Sequence, residues 1–316
     1  MIEKPLVKAY YTDNFVLPLP KEHKFPMEKY LRLRQALLAQ RILPDHQFFI
    51  PQAASDEDLQ KVHTHDYVQR VIHGTLTPRE MRRIGFPWSP EMVERSRRSV
   101  GATIEAATTA IEDGLSINLA GGTHHAFADR GEGFCVFNDV MVAAKVIQAK
   151  FAIKNILIID LDVHQGNGTA ELTQGDDSIF SFSIHGNDNF PYHKEESDLD
   201  FPLPSNTTDE PYLQALEESL AIIESRFQMD FVFYLAGADP YEYDQFGHLK
   251  LSKNGLRKRD EKVFNWCFAR QLPLALTMSG GYAKSIDDIV EIHKTTIQVA
   301  IEEHRRTFTQ RKQSVA

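Results

Sequence analysis

The chain has 316 residues, of which 42% are hydrophobic and 25% charged, a balance typical of a globular domain that folds in water. Its formal net charge of -9 at pH 7 argues against a basic face for direct nucleic-acid binding. The N-terminal residues lack a signal-peptide pattern, and no apolar run is long enough to span a bilayer. The two cysteines, Cys135 and Cys267, are too few for a disulfide framework. We therefore expect a cytoplasmic protein without a membrane segment.

Short apolar runs alternate along the chain with longer segments of helical periodicity. The predicted strands are residues 6–11, 115–119, 155–161, 178–184, 231–236 and 272–278. The predicted helices are residues 27–40, 55–72, 90–112, 138–150, 209–228, 252–270 and 284–308. Residues 73–90 are less regular and are expected to form a surface loop with a short helix. This alternation predicts a single α/β domain over residues 1–316, with a mostly parallel sheet flanked by helices on both faces.

Polar motifs follow five of the predicted strands, at the point where each strand ends. In chain order these motifs are GGTHHAF, DLDVH, SIHG, GAD and SGGY. Open parallel sheets bind their ligands in a crevice beyond the carboxyl ends of the strands. The five motifs are therefore expected to meet in one crevice.

The motif DLDVH closes a strongly apolar strand with two acids and an imidazole. Asp160, Asp162 and His164 are spaced two residues apart, and in an extended chain such side chains share one face. Two carboxylates and an imidazole suit a divalent metal ion and leave positions open for water and substrate. Asp239, at the end of another apolar strand, can add a carboxylate. The alternative is that the aspartates cap a turn and His164 is a structural core histidine.

The motif GGTHHAF places His124 and His125 directly after two glycines. Two buried imidazoles must each find a hydrogen-bond partner, so adjacent histidines are unusual in a core. Beside a metal-bound water they could serve as a general base and an electrostatic stabiliser. Two surface histidines in a turn are the alternative.

The ordered motifs GGTHHA, GFCVFND, DLDVHQGNG, GADP and SGGY resemble those of the histone deacetylase family, which has the arginase/deacetylase fold. The resemblance runs from about residue 115 to residue 285, and DLDVHQGNG is most similar to the class IV branch and related bacterial proteins. It implies a zinc-dependent deacetylase or deacylase. Its substrate would be an acylated lysine in a peptide or protein, or a related small acylated amine.

The resemblance also implies roles for individual residues. The zinc ligands would be Asp162, His164 and Asp239. The catalytic residues would be the general base His125, its positively biased neighbour His124, the oxyanion donor Tyr282, and the partners of the two histidines, Asp160 for His124 and Asn167 for His125.

A substrate channel and bound potassium are implied as well. The walls of the channel would be Gly133, Phe134 and Phe190. The potassium ligands would be the side chains of Asp160, Asp162 and Ser183 and the backbone carbonyls of Asp162, His164 and Ile184. A second cation site would fall at the carbonyls of Thr173, Asp176 and Ile179.

Three departures from the family pattern bear on activity. Asn167 stands where many members have aspartate, so His125 is expected to be less basic. Gln165 replaces a histidine common in other branches, and no acidic rim residue that could grip a peptide backbone is identifiable. Phe86, Pro87 and Trp88 are expected, from their position in a loop, to line the rim.

Three other functions stay open. An acetylpolyamine deacetylase needs an acidic gate, which the sequence does not reveal. A ureohydrolase of the same fold with two manganese ions needs a close pair of acids, which GADPYEYD does not supply. A catalytically silent metal-binding module has no need for His124, His125 and Tyr282.

Four further histidines are expected to lie outside the site. His63 and His65 in VHTHDY cannot share one ion on a helix, where residues two apart point to opposite sides, and a structural role is favoured. His293 and His304 are expected to be solvated on a charged C-terminal helix.

Overall fold

A computed structural model describes residues 6–315 of the chain. Within that range, eight strands form one sheet: β1 (Lys8–Tyr10), β2 (Phe48–Phe49), β3 (Leu115–Asn118), β4 (Ile156–Asp160), β5 (Ile179–Gly186), β6 (Leu199–Leu203), β7 (Phe231–Leu235) and β8 (Leu274–Thr277). The strand order is β2-β1-β3-β8-β7-β4-β5-β6, and every neighbouring pair is parallel. The predicted parallel sheet is thus confirmed.

The same residues form ten α-helices. They are α1 (Glu28–Ala39), α2 (Asp56–Leu59), α3 (His65–His73), α4 (Pro78–Ile84), α5 (Pro90–Asp113), α6 (Asp139–Lys150), α7 (Asn167–Thr173), α8 (Asp209–Arg226), α9 (Lys253–Ala269) and α10 (Ile286–Val315). None of these helices combines the length and the hydropathy that crossing a bilayer requires.

Helices cover both faces of the sheet, as predicted. Along β4, Ile156 and Ile158 pack with residues of α5 and α6 on one face. Leu157 and Ile159 point to the other face and pack with residues of α1, α8, α9 and α10. A strand buried on both faces reads as a continuous apolar run, which is why β4 stands out in the sequence.

Several element boundaries differ from the prediction. The strands β2 and β6 were missed; both lie at the edges of the sheet, and β6 contains Pro202, which only an edge strand tolerates easily. The helix predicted over residues 55–72 is divided into α2 and α3. The helix α7 was missed, because its glycine-rich start reads as a turn. The short helix expected within residues 73–90 is α4.

The sheet order explains where the polar motifs meet. Strands β3, β8, β7 and β4 are consecutive neighbours at the centre of the sheet, and their carboxyl ends lie on one edge. The segments that follow these four strands contain the predicted histidine pair, Tyr282, Asp239 and the DLDVH motif. One crevice therefore receives side chains from sequence positions far apart.

Candidate active site and metal centre

Asp162, His164 and Asp239 form a buried cluster just beyond β4 and β7. One ligand atom from each residue lies within 4.8 Å of the other two. The Nδ1 atom of His164 lies 2.9 Å from Oδ1 of Asp162 and 3.3 Å from Oδ2 of Asp239. The nitrogen that faces both carboxylates is therefore Nδ1, and this atom completes a set of two oxygens and one nitrogen.

The charges of this cluster fit a divalent cation. The Nδ1 proton of His164 is donated to Asp162, and the buried Oδ2 of Asp239 accepts no hydrogen bond from any described residue. Burial, and next the charge of Asp162, raises the pKa of Asp239 to about 7. Burial lowers the pKa of His164, but Asp162 and Asp239 outweigh it and raise that pKa to about 10. The two carboxylates thus hold a proton on His164, and a divalent ion bound by these three residues would take the place of that positive charge.

Backbone and hydroxyl donors fix the two carboxylates. Ser279 Oγ and the Gly280 amide each donate to Oδ2 of Asp162 at 2.7 Å. The Val163 amide donates to Oδ1 of Asp239 at 2.9 Å. Gly280 is required here, because a Cβ at this position would lie 1.9 Å from Oδ2 of Asp239. The close approach of this glycine keeps the carboxylates in position for a cation.

His124 and His125 lie beside the cluster, each held by the partner that the resemblance implied. The Nδ1 atom of His124 lies 2.6 Å from Oδ2 of Asp160, and that of His125 lies 2.7 Å from Oδ1 of Asn167. Both imidazoles are buried, with ring centroids 4.1 Å apart. Each Nδ1–H is donated to an oxygen, so each Nε2 remains available for proton transfer.

The two imidazoles differ in charge because their surroundings differ. Burial lowers the pKa of His124, but the carboxylates of Asp160 and Asp162 outweigh it and raise the value to about 9. Burial, and then the neighbouring His124 and His164, holds the pKa of His125 well below its ordinary value. His125 is therefore neutral at pH 7, as a general base must be.

Glu132, which the sequence analysis did not single out, accounts for the asparagine at position 167. The Asn167 amide accepts from His125 through Oδ1 and directs its Nδ2 towards Oε2 of Glu132, 3.5 Å away. Glu132 also faces Arg83, with 3.6 Å between Oε1 and Nε. An aspartate at position 167 would place a second carboxylate against Glu132, whereas the amide serves both neighbours.

We expect Asn167→Asp to move the acid limb of the kcat/KM–pH profile upward by about one unit. A carboxylate beside His125 stabilises the imidazolium, so its pKa rises and the neutral base is lost at a higher pH on acidification. Asn167→Asp/Glu132→Gln should melt at a higher temperature than Asn167→Asp, since the glutamine amide can donate to the new carboxylate. An acid limb at the same pH in wild type and Asn167→Asp would refute this role of position 167.

Tyr282 lies near His164, with 6.5 Å between the ring centroids, and its hydroxyl is free. Its amide donates to Oδ2 of Asp244 at 2.7 Å, and its carbonyl accepts from Nε2 of Gln245 at 2.7 Å. No described residue forms a hydrogen bond with its hydroxyl, and burial raises the pKa of that hydroxyl. Tyr282 therefore stays protonated and can donate to a ligand.

Two residues that support Tyr282 belong to no recognisable sequence motif. Asp244 accepts from the amides of Tyr282, Phe246 and Gly247, so its carboxylate fixes a turn and does not join the metal cluster. Lys29 is buried in α1 and donates through Nζ to the carbonyls of Ser279 at 3.4 Å and Gly281 at 3.3 Å. A lone lysine on a helix carries no motif, so only the fold reveals this contact.

A pocket of about 680 Å³ opens from the site to the surface. Its lining includes His125, His164 and Tyr282 and the three predicted wall residues, Gly133, Phe134 and Phe190. The Phe190 ring meets His125 edge-on at 5.0 Å between centroids. Gly133 has a φ of +53°, and a Cβ there would lie 2.7 Å from Cδ2 of His125.

The rim is formed by other residues than predicted. Phe86, Pro87 and Trp88 are absent from the described lining, which instead contains Arg79, Arg82 and Arg83 of α4. Phe86 is buried against Phe25, and the Trp88 indole donates to the Val71 carbonyl at 2.8 Å. Phe86 therefore points into the core, whereas Trp88 is exposed and directs its indole to α3 instead of to the pocket.

Gln165 connects the site to the loop that contains Phe190. Its Nε2 donates to the Glu195 carbonyl at 2.7 Å and to Oδ1 of Asp200 at 2.9 Å, and its Oε1 accepts from the Glu195 amide at 3.0 Å. Gln165 thus holds the end of the loop that contains Phe190, an effect that the sequence did not indicate.

The potassium sites stay predictions. Asp160 and Ser183 are register partners in β4 and β5, so two of the expected potassium ligands lie side by side. The carbonyls of Asp162, His164 and Ile184 remain predicted ligands. At the second site, the carbonyls of Thr173 and Asp176 accept backbone hydrogen bonds from Asp176 and Ile179 at 3.0 Å and 3.1 Å.

Two expectations about other histidines are wrong in part. His63 precedes α3 instead of lying on a helix; it is buried, with Nδ1 2.8 Å from the Phe127 carbonyl and Nε2 accepting from the Asn138 amide at 3.0 Å. Its role is structural, and burial lowers its pKa to about 4. His293 and His304 are buried and not solvated, because α10 packs them against the domain.

Comparisons with known proteins agree with this architecture. Residues 23–297 match the histone deacetylase domain. An uncharacterized protein of Picosynechococcus sp. is 44% identical over 283 residues, or 90% of this chain and 94% of the relative. Histone deacetylase 2 of Arabidopsis thaliana is 34% identical over 292 residues, or 88% of this chain and 75% of the relative. The crystal structure of an HDAC homolog from Aquifex aeolicus has a TM-score of 0.80 at 25% identity, covering 93% of this chain and 84% of that one.

Proposed function

The chain belongs to the histone deacetylase family, and on this basis we propose that it is a zinc-dependent deacetylase or deacylase that acts on acylated lysine side chains. The observation that carries the proposal is the arrangement in one pocket of a buried Asp162–His164–Asp239 cluster, a neutral His125 and a free Tyr282 hydroxyl. Metal binding alone would need neither of the last two groups.

A zinc ion held by Asp162, His164 and Asp239 would polarise the substrate carbonyl and acidify the attacking water. His125 accepts the proton of that water through Nε2, while Asn167 holds its other nitrogen. His124, charged through its contact with Asp160, keeps the local field positive. Tyr282 donates a hydrogen bond to the negative charge that develops on the carbonyl oxygen. The proton held by His125 then passes to the amine as the C–N bond breaks.

The alternatives receive less support from the side chains. A binuclear ureohydrolase needs further acidic ligands, but the carboxylate of Asp244 is engaged by three backbone amides. Among the described residues, Asp162, His164 and Asp239 form the one candidate metal group. A silent module would leave the protonated Tyr282 without a role.

The proposal has three further parts. Potassium at Asp160 and Ser183 would offset the carboxylates behind the zinc site. Residues 1–316 would act as a single catalytic domain. A cytoplasmic location is supported by Cys135 and Cys267, both of which are free thiols in the structure.

We expect the zinc-reconstituted protein to hydrolyse acetyl-lysine or longer acyl-lysine peptides with about one zinc per chain. The panel should contain acetyl-lysine, long-chain acyl-lysine and acetylpolyamine substrates, with chelator-stripped protein as the control. Metal content is measured by mass spectrometry and turnover by detection of the free amine. Activity that requires two manganese ions, on a guanidino substrate alone, would contradict the proposal.

A further inference from the structure

The outer part of the pocket contains three arginines from one short helix. Arg79, Arg82 and Arg83 of α4 line the same cavity as His125 and Tyr282, and all three are exposed. Residues three and four apart share one face of a helix, so these guanidinium groups are concentrated on the side that faces the opening. The chain as a whole has a net charge of -9, so the three arginines form a local region of positive charge.

The helix α4 is attached directly to the channel wall. The Gly133 amide donates to the Arg83 carbonyl at 3.1 Å, and the Phe134 amide donates to the Ile84 carbonyl at 2.7 Å. A Thr77–Glu80 capping box fixes the other end of the helix. The arginines are therefore held at the mouth by ordered backbone rather than by a loose loop.

The carboxylates nearby are already engaged. Glu80 pairs with Arg70 at 2.6 Å, and Glu132 faces Arg83 and Asn167. On the opposite wall, Asp188 accepts from Ser205 at 2.8 Å. No described carboxylate lies within 4.0 Å of the guanidinium groups of Arg79 or Arg82.

Unpaired like charges on one helix face destabilise that helix, so their position beside a concave pocket favours a role in ligand binding. In a channel with the metal cluster at its inner end, the acyl group points inward and the amine-bearing part of the substrate lies at the mouth. We propose that Arg79 and Arg82 bind carboxylate groups on the amine-bearing part of the substrate. This inference rests on the proposed function for the orientation of the substrate.

Two kinds of substrate present such carboxylates: acidic residues that flank an acyl-lysine in a protein, and the free α-carboxylate of a small acylated amino acid. Both suit guanidinium groups, which bind carboxylates through paired hydrogen bonds. The same charges repel cationic acetylpolyamines. The structure thus gives this mouth a basic wall where a polyamine enzyme needs an acidic gate.

The test compares acetyl-lysine peptides flanked by glutamate, glutamine or arginine, together with Nε-acetyl-lysine bearing a free or an amidated α-carboxylate. For wild type at low salt we expect kcat/KM to be about 3- to 10-fold higher for the glutamate peptide than for the glutamine peptide, mainly through KM. The ratio should shrink as salt is raised. A preference confined to the free α-carboxylate would assign the site to small acylated amino acids.

The variant Arg79→Gln/Arg82→Gln should bring the glutamate-to-glutamine ratio close to one. Arg226→Gln is the matched control, because Arg226 is exposed at the end of α8, before the amino end of β7 and so on the opposite edge of the sheet. This control should keep the wild-type ratio. A glutamate-to-glutamine ratio of one in wild type together with equal kcat/KM for the free and amidated α-carboxylates would overturn the inference. A wild-type preference that stays unchanged in the double variant would overturn it as well.

Binding provides a readout that does not need turnover. Fluorescence anisotropy of labelled glutamate and glutamine peptides gives the Kd ratio for wild type and for the double variant. If no peptide were hydrolysed while the glutamate peptide still bound more tightly through Arg79 and Arg82, the proposed function would fail and the anion site would stand. Equal Kd values for both peptides in wild type, with no preference for the free over the amidated α-carboxylate, would refute the anion site.

Discussion

Asp239→Asn should lose the metal ion and at least about a thousandfold in kcat/KM together. The change removes one of the three proposed ligands and its buried charge, while an asparagine Oδ1 can still accept from the Val163 amide. Metal content by mass spectrometry and the rise in Tm on adding zinc are the measurements. Asp230→Asn is the matched control, because Asp230 precedes the same strand, β7, and accepts from two backbone amides at the opposite edge of the sheet.

Without metal, we expect the Asp239→Asn variant to be more stable than the wild-type protein. Folding raises the pKa of Asp239 from 3.8 to about 7, so its ionisation destabilises the metal-free fold as the pH rises from about 4 to 7. Asparagine does not ionise. Metal-free Asp239→Asn should therefore have a higher Tm than metal-free wild type at pH 8, with the difference shrinking towards pH 4. Full zinc binding by this variant would remove Asp239 from the ligand set.

Tyr282→Phe is expected to lower kcat by about 10²–10³-fold while the metal content stays near the wild-type value. Phenylalanine keeps the ring contacts with Phe134 and Phe246, and the backbone contact with Asp244 does not involve the hydroxyl. Loss of the hydroxyl therefore isolates the donor to the developing oxyanion. Single-turnover rates separate this chemical step from product release.

Tyr243→Phe provides the control for tyrosine removal, since Tyr243 is exposed and packs on Tyr241 outside the pocket. Its kcat should match that of wild type. If Tyr282→Phe kept full turnover on every substrate that wild type hydrolyses, Tyr282 would not be the hydrogen-bond donor to the oxyanion.

The sequence predicts the centre of this fold well and its edges poorly. The run Ile156–Ile159 is apolar on both faces because both faces of β4 are covered, and that pattern needs no tertiary knowledge. The edge strand β2 has two residues, and β6 is partly exposed and contains Pro202, so neither forms the continuous buried apolar run of a central strand. The break between α2 and α3 arises because His63 is drawn to Phe127 and Asn138, a contact between distant segments.

Within the site, residues with unusual chemistry at strand ends could be predicted and their supports could not. Asp162, His164 and Asp239 attract attention because carboxylates and imidazoles rarely end apolar strands. Glu132 and Lys29 look like ordinary charged residues, and only the fold brings them to Asn167 and to the turn before Tyr282. Their importance depends on partners remote in sequence, which local patterns do not encode.

The separation of the three proposed metal ligands along the chain has a consequence for biosynthesis. Val163 and Asp239 are 76 residues apart, and their hydrogen bond forms at the adjacent ends of β4 and β7. A nascent chain that has released DLDVH from the ribosome but not yet β7 presents only two of the three ligands. Metal binding by all three residues would therefore have to wait until the second half of the polypeptide has been synthesised.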